Sequence, residues 1–380
     1  MESGIPLFTF RGITVRMHIS FPLILIWGAL QFGFMRDSGV EGAIFGVIVT
    51  LLLFAIVILH EFGHSIVAQG FGVEVKQIVL LPIGGVAQLD RVPDNPVQEF
   101  LIAIAGPAVN FVLAVILLLL AAAVGQPITT GDMGNIFNML GDLTLRSIFI
   151  YTFFTNLFLG VFNLIPAFPM DGGRVLRALL AMRLQYMTAT RLAVGIGQSI
   201  AWLMGLFGFL SGNLFLILIA VFVYLGASQE GRQVQIRHVL AGVTVSQVFS
   251  RQVETLAPTD QLRKAIGLTL SSFQADFPVC DGNQLVGLLP YRRLVEVLDQ
   301  QGADVIVGDV METDIEPVSP DDEMIDVQQR LASEGVDALP VLEGGQFVGL
   351  ITGRDVSEIY RLMSTQPDLL TTERAGIEAT

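Results

Sequence analysis

The chain has 380 residues, of which 52% are hydrophobic and 15% charged, against roughly 25% charged in an ordinary soluble domain. Residues 1–237 carry 12 acidic and 12 basic side chains, while residues 238–380 carry 23 and 9, so the net charge of −14 sits wholly in the second part. That distribution excludes an ordinary soluble protein for the first part, and it excludes nucleic acid as a partner of the acidic second part; the single cysteine, Cys280, excludes an internal disulfide and fits a reducing compartment.

The chain opens without the basic stretch of a secretory leader, so its first apolar run is expected to be retained as an anchor. Residues 6–17 (PLFTFRGITVRM) alternate and are rich in β-branched and aromatic residues, as a strand pair would be. Six apolar runs follow, each a candidate span of about 20 residues: 19–35, 42–70, 97–124, 147–165, 192–210 and 214–227.

The second run contains His60-Glu61-Phe62-Gly63-His64. Residues four apart share one helix face, so both imidazoles reach a common point. Neutral imidazole suits Zn²⁺, which takes three protein ligands in catalytic sites. Glu61 stands beside the pair as a general base for a water. Such groups inside a lipid-facing helix would cost several kcal/mol unless they lined a polar site.

Residues 73–92 (VEVKQIVLLPIGGVAQLDRV) interrupt the helical pattern and read as extended chain, with a turn or bulge at Pro82 and Gly84-Gly85. The third run carries Ala105-Gly106-Pro107-Ala108-Val109-Asn110. The fourth ends on Asn163-Leu164-Ile165-Pro166-Ala167-Phe168-Pro169-Met170-Asp171-Gly172-Gly173. Two prolines break that helix at membrane depth, where non-helical backbone must be buried in protein or line a cavity. Asp171 is therefore the expected third metal ligand, and Asn163 an expected catalytic donor to the substrate backbone or the oxyanion.

Six spans place both ends on one side. Ten Lys and Arg residues fall on that side and two, Arg36 and Arg146, on the other. The positive-inside rule then puts both termini in the cytoplasm of a multi-pass cell-membrane protein. His18 and His238 lie outside the motifs and read as an interfacial and a linker residue.

Beyond residue 237 the texture changes to short strands and helices, with an internal repeat. GNQLVGL at 282–288 matches GGQFVGL at 344–350, Pro278-Val279 matches Pro340-Val341, and Pro258 matches Pro320, all 62 positions apart. The expected organisation is a membrane domain over 1–230, a linker over 231–242, repeats over 243–300 and 305–365, and a disordered tail over 366–380.

HEFGH and NLIPAFPMDGG together resemble the site-2 proteases, the M50-like zinc metalloproteases of regulated intramembrane proteolysis, and AGPAVN resembles a third element of that family. Met170 stands where the family commonly has Leu. The resemblance implies that His60, His64 and Asp171 bind one zinc ion and that Glu61 is the catalytic base. No PDZ-like segment separates the motifs; the repeats resemble tandem CBS domains, as in the sporulation-factor-processing branch. CBS pairs bind adenine nucleotides, so ATP, ADP or AMP is an expected ligand. Gly349-Leu350-Ile351-Thr352-Gly353-Arg354-Asp355 fits the ligand pattern at Thr352 and Asp355, while the first repeat lacks both residue types.

The expected fold is a polytopic α-helical membrane protein of about six spans with small membrane-associated β elements, followed by a cytosolic α/β tandem CBS domain. The expected function is zinc-dependent endoproteolysis of a membrane-spanning substrate in the lipid bilayer. By likeness that substrate is a membrane-tethered transcription factor or its regulator. A homodimer through the CBS domains is the expected assembly. The competing reading is a transporter or channel gated by the CBS pair; a Glu between two His four apart favours the protease.

Overall fold

The computed structural model describes residues 4–34, 38–82, 84–89, 95–129, 131–132, 143–272 and 274–366. Arg36, Arg91 and the tail beyond 366 lie outside them. The chain divides into a membrane unit up to Val234 and a C-terminal unit from Gln235.

The expected strand pair forms as β1 (Gly4–Phe10) and β2 (Ile13–His18), joined at Arg11-Gly12 with both φ positive, the geometry of a tight hairpin turn. The extended segment after the HEFGH helix forms β3 (Val75–Leu81) and β4 (Gly84–Leu89). Strands β2 and β3 pair in parallel, giving one sheet of order β1-β2-β3-β4. Inward residues Ile13, Val15, Ile78 and Leu80 pack with Phe54 and Phe62 of α2 (Gly39–Gly70), so the sheet lies on that helix. His18 accepts the backbone N–H of Ser20 at the end of β2, a turn contact and no part of the site.

Five described helices are long and apolar enough to cross a membrane: α2, α3 (Pro96–Ala123), α4 (Leu145–Asn163), α6 (Tyr186–Leu210) and α7 (Leu214–Leu240). The first expected span forms only a 12-residue helix, α1 (Pro22–Gly33). At about 1.5 Å per residue it is roughly 18 Å long, short of the roughly 30 Å hydrocarbon core. Between α4 and α6 runs the short α5 (Asp171–Ala181).

Burial is the reverse of a soluble protein. Trp202, Leu203, Phe207 and Phe215 are more than 60% exposed, while Asn110, Asn156, Glu99 and Arg177 are at most 1% exposed. In lipid, apolar side chains face outward and polar groups must pair inside.

The C-terminal unit repeats one pattern. Helix α8 (Leu262–Ser272), strands β5 (Phe277–Asp281) and β6 (Gln284–Leu289), and α9 (Tyr291–Gln301) are followed by α10 (Met324–Glu334), β7 (Ala338–Glu343), β8 (Gln346–Thr352) and α11 (Gly353–Thr365). Helices α10 and α11 and strand β8 each begin 62 positions after their counterparts, and the parallel bridge Leu256–Val279 recurs as Val318–Val341 at the same offset. The opening stretch of each expected repeat packs on the other one. Val243 and Val245 join the core of the second repeat, and Val307 and Val310 that of the first. Helix α7 runs through the segment read as a linker and adds Leu240 to the second repeat's core.

Candidate metal centre

His60 and His64 lie one turn apart on α2, both buried, with their Nε2 atoms 3.1 Å from each other. Asp171, the first residue of α5, places Oδ2 at 3.1 Å from Nε2 of His60 and 3.2 Å from Nε2 of His64. The three atoms form a nearly equilateral triangle. A tetrahedral zinc with Zn–N bonds of about 2.05 Å would have ligand–ligand edges of about 3.3 Å, so the donor set fits that ion. These three form the metal-capable group found among the described residues.

Both imidazoles are held from behind. His60 Nδ1 faces Oδ1 of Asn110 on α3, and His64 Nδ1 lies 2.6 Å from the carbonyl oxygen of Ile102. The Asn110 amide nitrogen donates to Oδ1 of Asn156 at 2.8 Å, and the Asn156 amide nitrogen donates back to the Asn110 backbone carbonyl at 2.8 Å. The Asn110 amide is thereby oriented with its oxygen toward His60. An acceptor at each Nδ1 puts the proton there and leaves each Nε2 lone pair aimed at the centre, the orienting role that outer partners play at metal sites.

Helix α3 closes one wall of the site. A Cβ on Gly106 would collide with Nε2 of both histidines. The AGPAVN segment therefore contributes a residue without a side chain where the two imidazoles need room, and an amide one turn later. Neither role was assigned from the sequence. The motif itself was visible, but its two contacts cross from α3 to α2 and leave no periodic signal.

Glu61, next to His60 on α2, lies against the sheet. A Cβ on Gly85 of β4 would lie 3.0 Å from its Cγ. The extended segment expected over residues 73–92 thus passes the carboxylate expected to act as base, on a strand at the end of its sheet. Asn163 ends α4, half-buried; no hydrogen bond among the described residues joins it to His60, Glu61, His64 or Asp171.

In the C-terminal unit Thr352 and Asp355 form the N-terminal cap of α11. The Thr352 N–H and hydroxyl donate to the Asp355 carboxylate at 2.8 and 2.7 Å. Both line a cavity of about 600 Å³ with Ser250, Asp276, Tyr291 and Arg354. The equivalent positions of the first repeat are Pro290 and Arg293, and Arg293 instead donates to the Val310 carbonyl.

The model of peptidase family M50 matches residues 48–207, and the CBS domain model matches residues 307–361. A zinc metalloprotease of Methanocaldococcus jannaschii is 34% identical over 369 residues, spanning 97% of this chain and 99% of that one. Stage IV sporulation protein FB of Bacillus subtilis is 28% identical over 211 residues, 55% of this chain and 67% of its own length. Among solved structures, the site-2 protease from Methanocaldococcus jannaschii is 43% identical over 60% of this chain and 95% of its own, with a TM-score of 0.44.

Proposed function

The chain belongs to peptidase family M50, the site-2 proteases, and is a multi-pass zinc metalloendopeptidase with a C-terminal CBS pair; on that premise we propose that His60, His64 and Asp171 hold the zinc and that Glu61 is the base that cuts a membrane-spanning protein. The observation that carries the assignment is the triangle of two Nε2 atoms and one carboxylate oxygen, with Glu61 next in sequence to His60.

Zinc, when bound, acidifies a water and polarises the scissile carbonyl. The chain's own groups supply the rest. Glu61 takes the proton of the attacking water and passes one to the departing amide nitrogen. Asn163 donates to the oxygen on which charge develops. Asn110 and the Ile102 carbonyl keep both Nδ1 protons in place, so the ligand lone pairs do not turn away.

A helical substrate hides its carbonyls in hydrogen bonds and must unwind before it is cut. Strand β4 receives the unwound stretch by strand addition. It is the last strand of its sheet and its Gly85 lies against Glu61. The substrate class is a membrane-tethered transcription factor or its regulator. Both termini face the cytoplasm: β2 pairs with β3, so the N-terminal strands lie at the same end of α2 as β3 although α1 is short, and the ten-to-two bias of basic residues favours that side. Adenine nucleotide in the cavity at Thr352 and Asp355 modulates the protease, and the CBS pair makes the chain a dimer.

Co-expression with candidate single-span substrates tests the assignment. The wild-type chain yields a cleavage product and Glu61→Gln does not, while both carry about one zinc per chain, the stoichiometry of a single catalytic site. A transporter would retain its function in Glu61→Gln and yield no product in either form.

A further inference from the structure

The buried ion cluster around Arg177 takes no part in the chemistry above. Arg177 lies on α5, six residues past Asp171, and is 1% exposed. Its Nε donates to Glu99 of α3 at 2.7 Å, and a terminal nitrogen donates to Glu230 of α7 at 2.6 Å. The same guanidinium covers the ring of Phe168, 5.0 Å from its centroid. Phe168 belongs to the loop between α4 and α5, three residues before Asp171, and is itself 1% exposed.

Stability alone is a poor account of this cluster, because desolvation offsets most of the attraction in a buried ion pair. Shape is a better one. The planar fork of an arginine grips two carboxylates and stacks on a ring at once, a combination lysine does not reproduce. The loop is also pressed from α7. A Cβ on Gly226 would lie 2.6 Å from Cδ of Pro169, and Ala227 packs with Phe168.

We infer that Arg177 is a positioning residue for the metal-side carboxylate: anchored to Glu99 and Glu230, its guanidinium is the seat on which Phe168 rests, and it thereby fixes the loop that presents Asp171 to the two imidazoles. The inference rests on the reading of Asp171 as the third ligand. The two anchors differ in freedom. The Glu99 side chain is 0% exposed and the Glu230 side chain 28%.

The test uses the purified full-length protein in detergent. Zinc affinity is read by competition with a chelator, and kcat and KM with a membrane-protein substrate. Arg177→Lys and Phe168→Leu should each weaken zinc binding about 10- to 100-fold, as outer-sphere partners do, and lower kcat with KM held. The double variant should be no worse than the worse single, since both act through one stacking contact. Glu230→Gln should show a smaller loss in the same direction, and it carries the test if Arg177→Lys fails to fold. Asp171→Ala should lose zinc outright. Wild-type zinc affinity in the folded fraction of Arg177→Lys, or a double variant whose loss is the product of the two singles, overturns the inference alone. Wild-type zinc affinity in Asp171→Ala overturns the ligand reading and this inference with it.

Discussion

The ring of His60 on α2 and the amide of Asn110 on α3 meet edge to edge, Nδ1 against Oδ1, although fifty residues separate them in the chain. The contact decides which nitrogen of His60 is free for a metal. Asn110 is in turn fixed by Asn156 of α4, so three membrane helices share responsibility for one lone pair.

Asn110→Ala should therefore weaken zinc binding about 10- to 100-fold while leaving the ligand set complete. Chelator competition on the purified protein measures it. An unchanged affinity would show that helix packing alone orients His60.

Gly106→Ala should be more severe than its one methyl group suggests. The added Cβ occupies the space of both Nε2 atoms, so either the rings turn or α3 withdraws. Zinc content should fall well below one per chain in a protein whose helix content, read by circular dichroism, is unchanged. Full zinc loading would mean that α3 can retreat at little cost.

Single prolines at Val86 and Ala87 test the β4 edge. Alternate residues of a strand direct their N–H groups to opposite sides, so one of the two removes a donor from the free edge. That variant should lose cleavage while keeping zinc. Normal cleavage in both would remove strand addition as the mode of substrate capture.

Thr352→Ala combined with Asp355→Ala should abolish adenine-nucleotide binding by the full-length protein in calorimetry. The pair also caps α11, and loss of a cap costs about 1–2 kcal/mol, so the thermal midpoint of the C-terminal unit should drop as well. Retained nucleotide binding would place the ligand elsewhere than the cavity at α11.

Much of this was legible from residue spacing. Two histidines four apart specify a shared face once the segment is known to be helical, and the 62-residue offset returns element by element in the C-terminal unit. The alternation in 6–17 marked the first strand pair, and Pro82 marked the break between β3 and β4, whereas Gly84 and Gly85 pair within β4. The first apolar run misled because apolar length was read as helix length. Residues 19–21 form the turn that leads out of β2, and the helix begins only at Pro22.

The sequence by itself determined the local terms: which segments are apolar enough to leave water, which helix carries the paired imidazoles, and that the tail is one unit written twice. Those are set by composition and by periodicities within a single element. Tertiary structure decided the rest. It brought Asp171 to within 3.2 Å of both rings, chose a backbone carbonyl to orient His64, ran β4 past Glu61, and enclosed Arg177 between two carboxylates. A carbonyl has no residue identity to read, and a contact between helices depends on their rotation and spacing, which no pattern along one chain segment records.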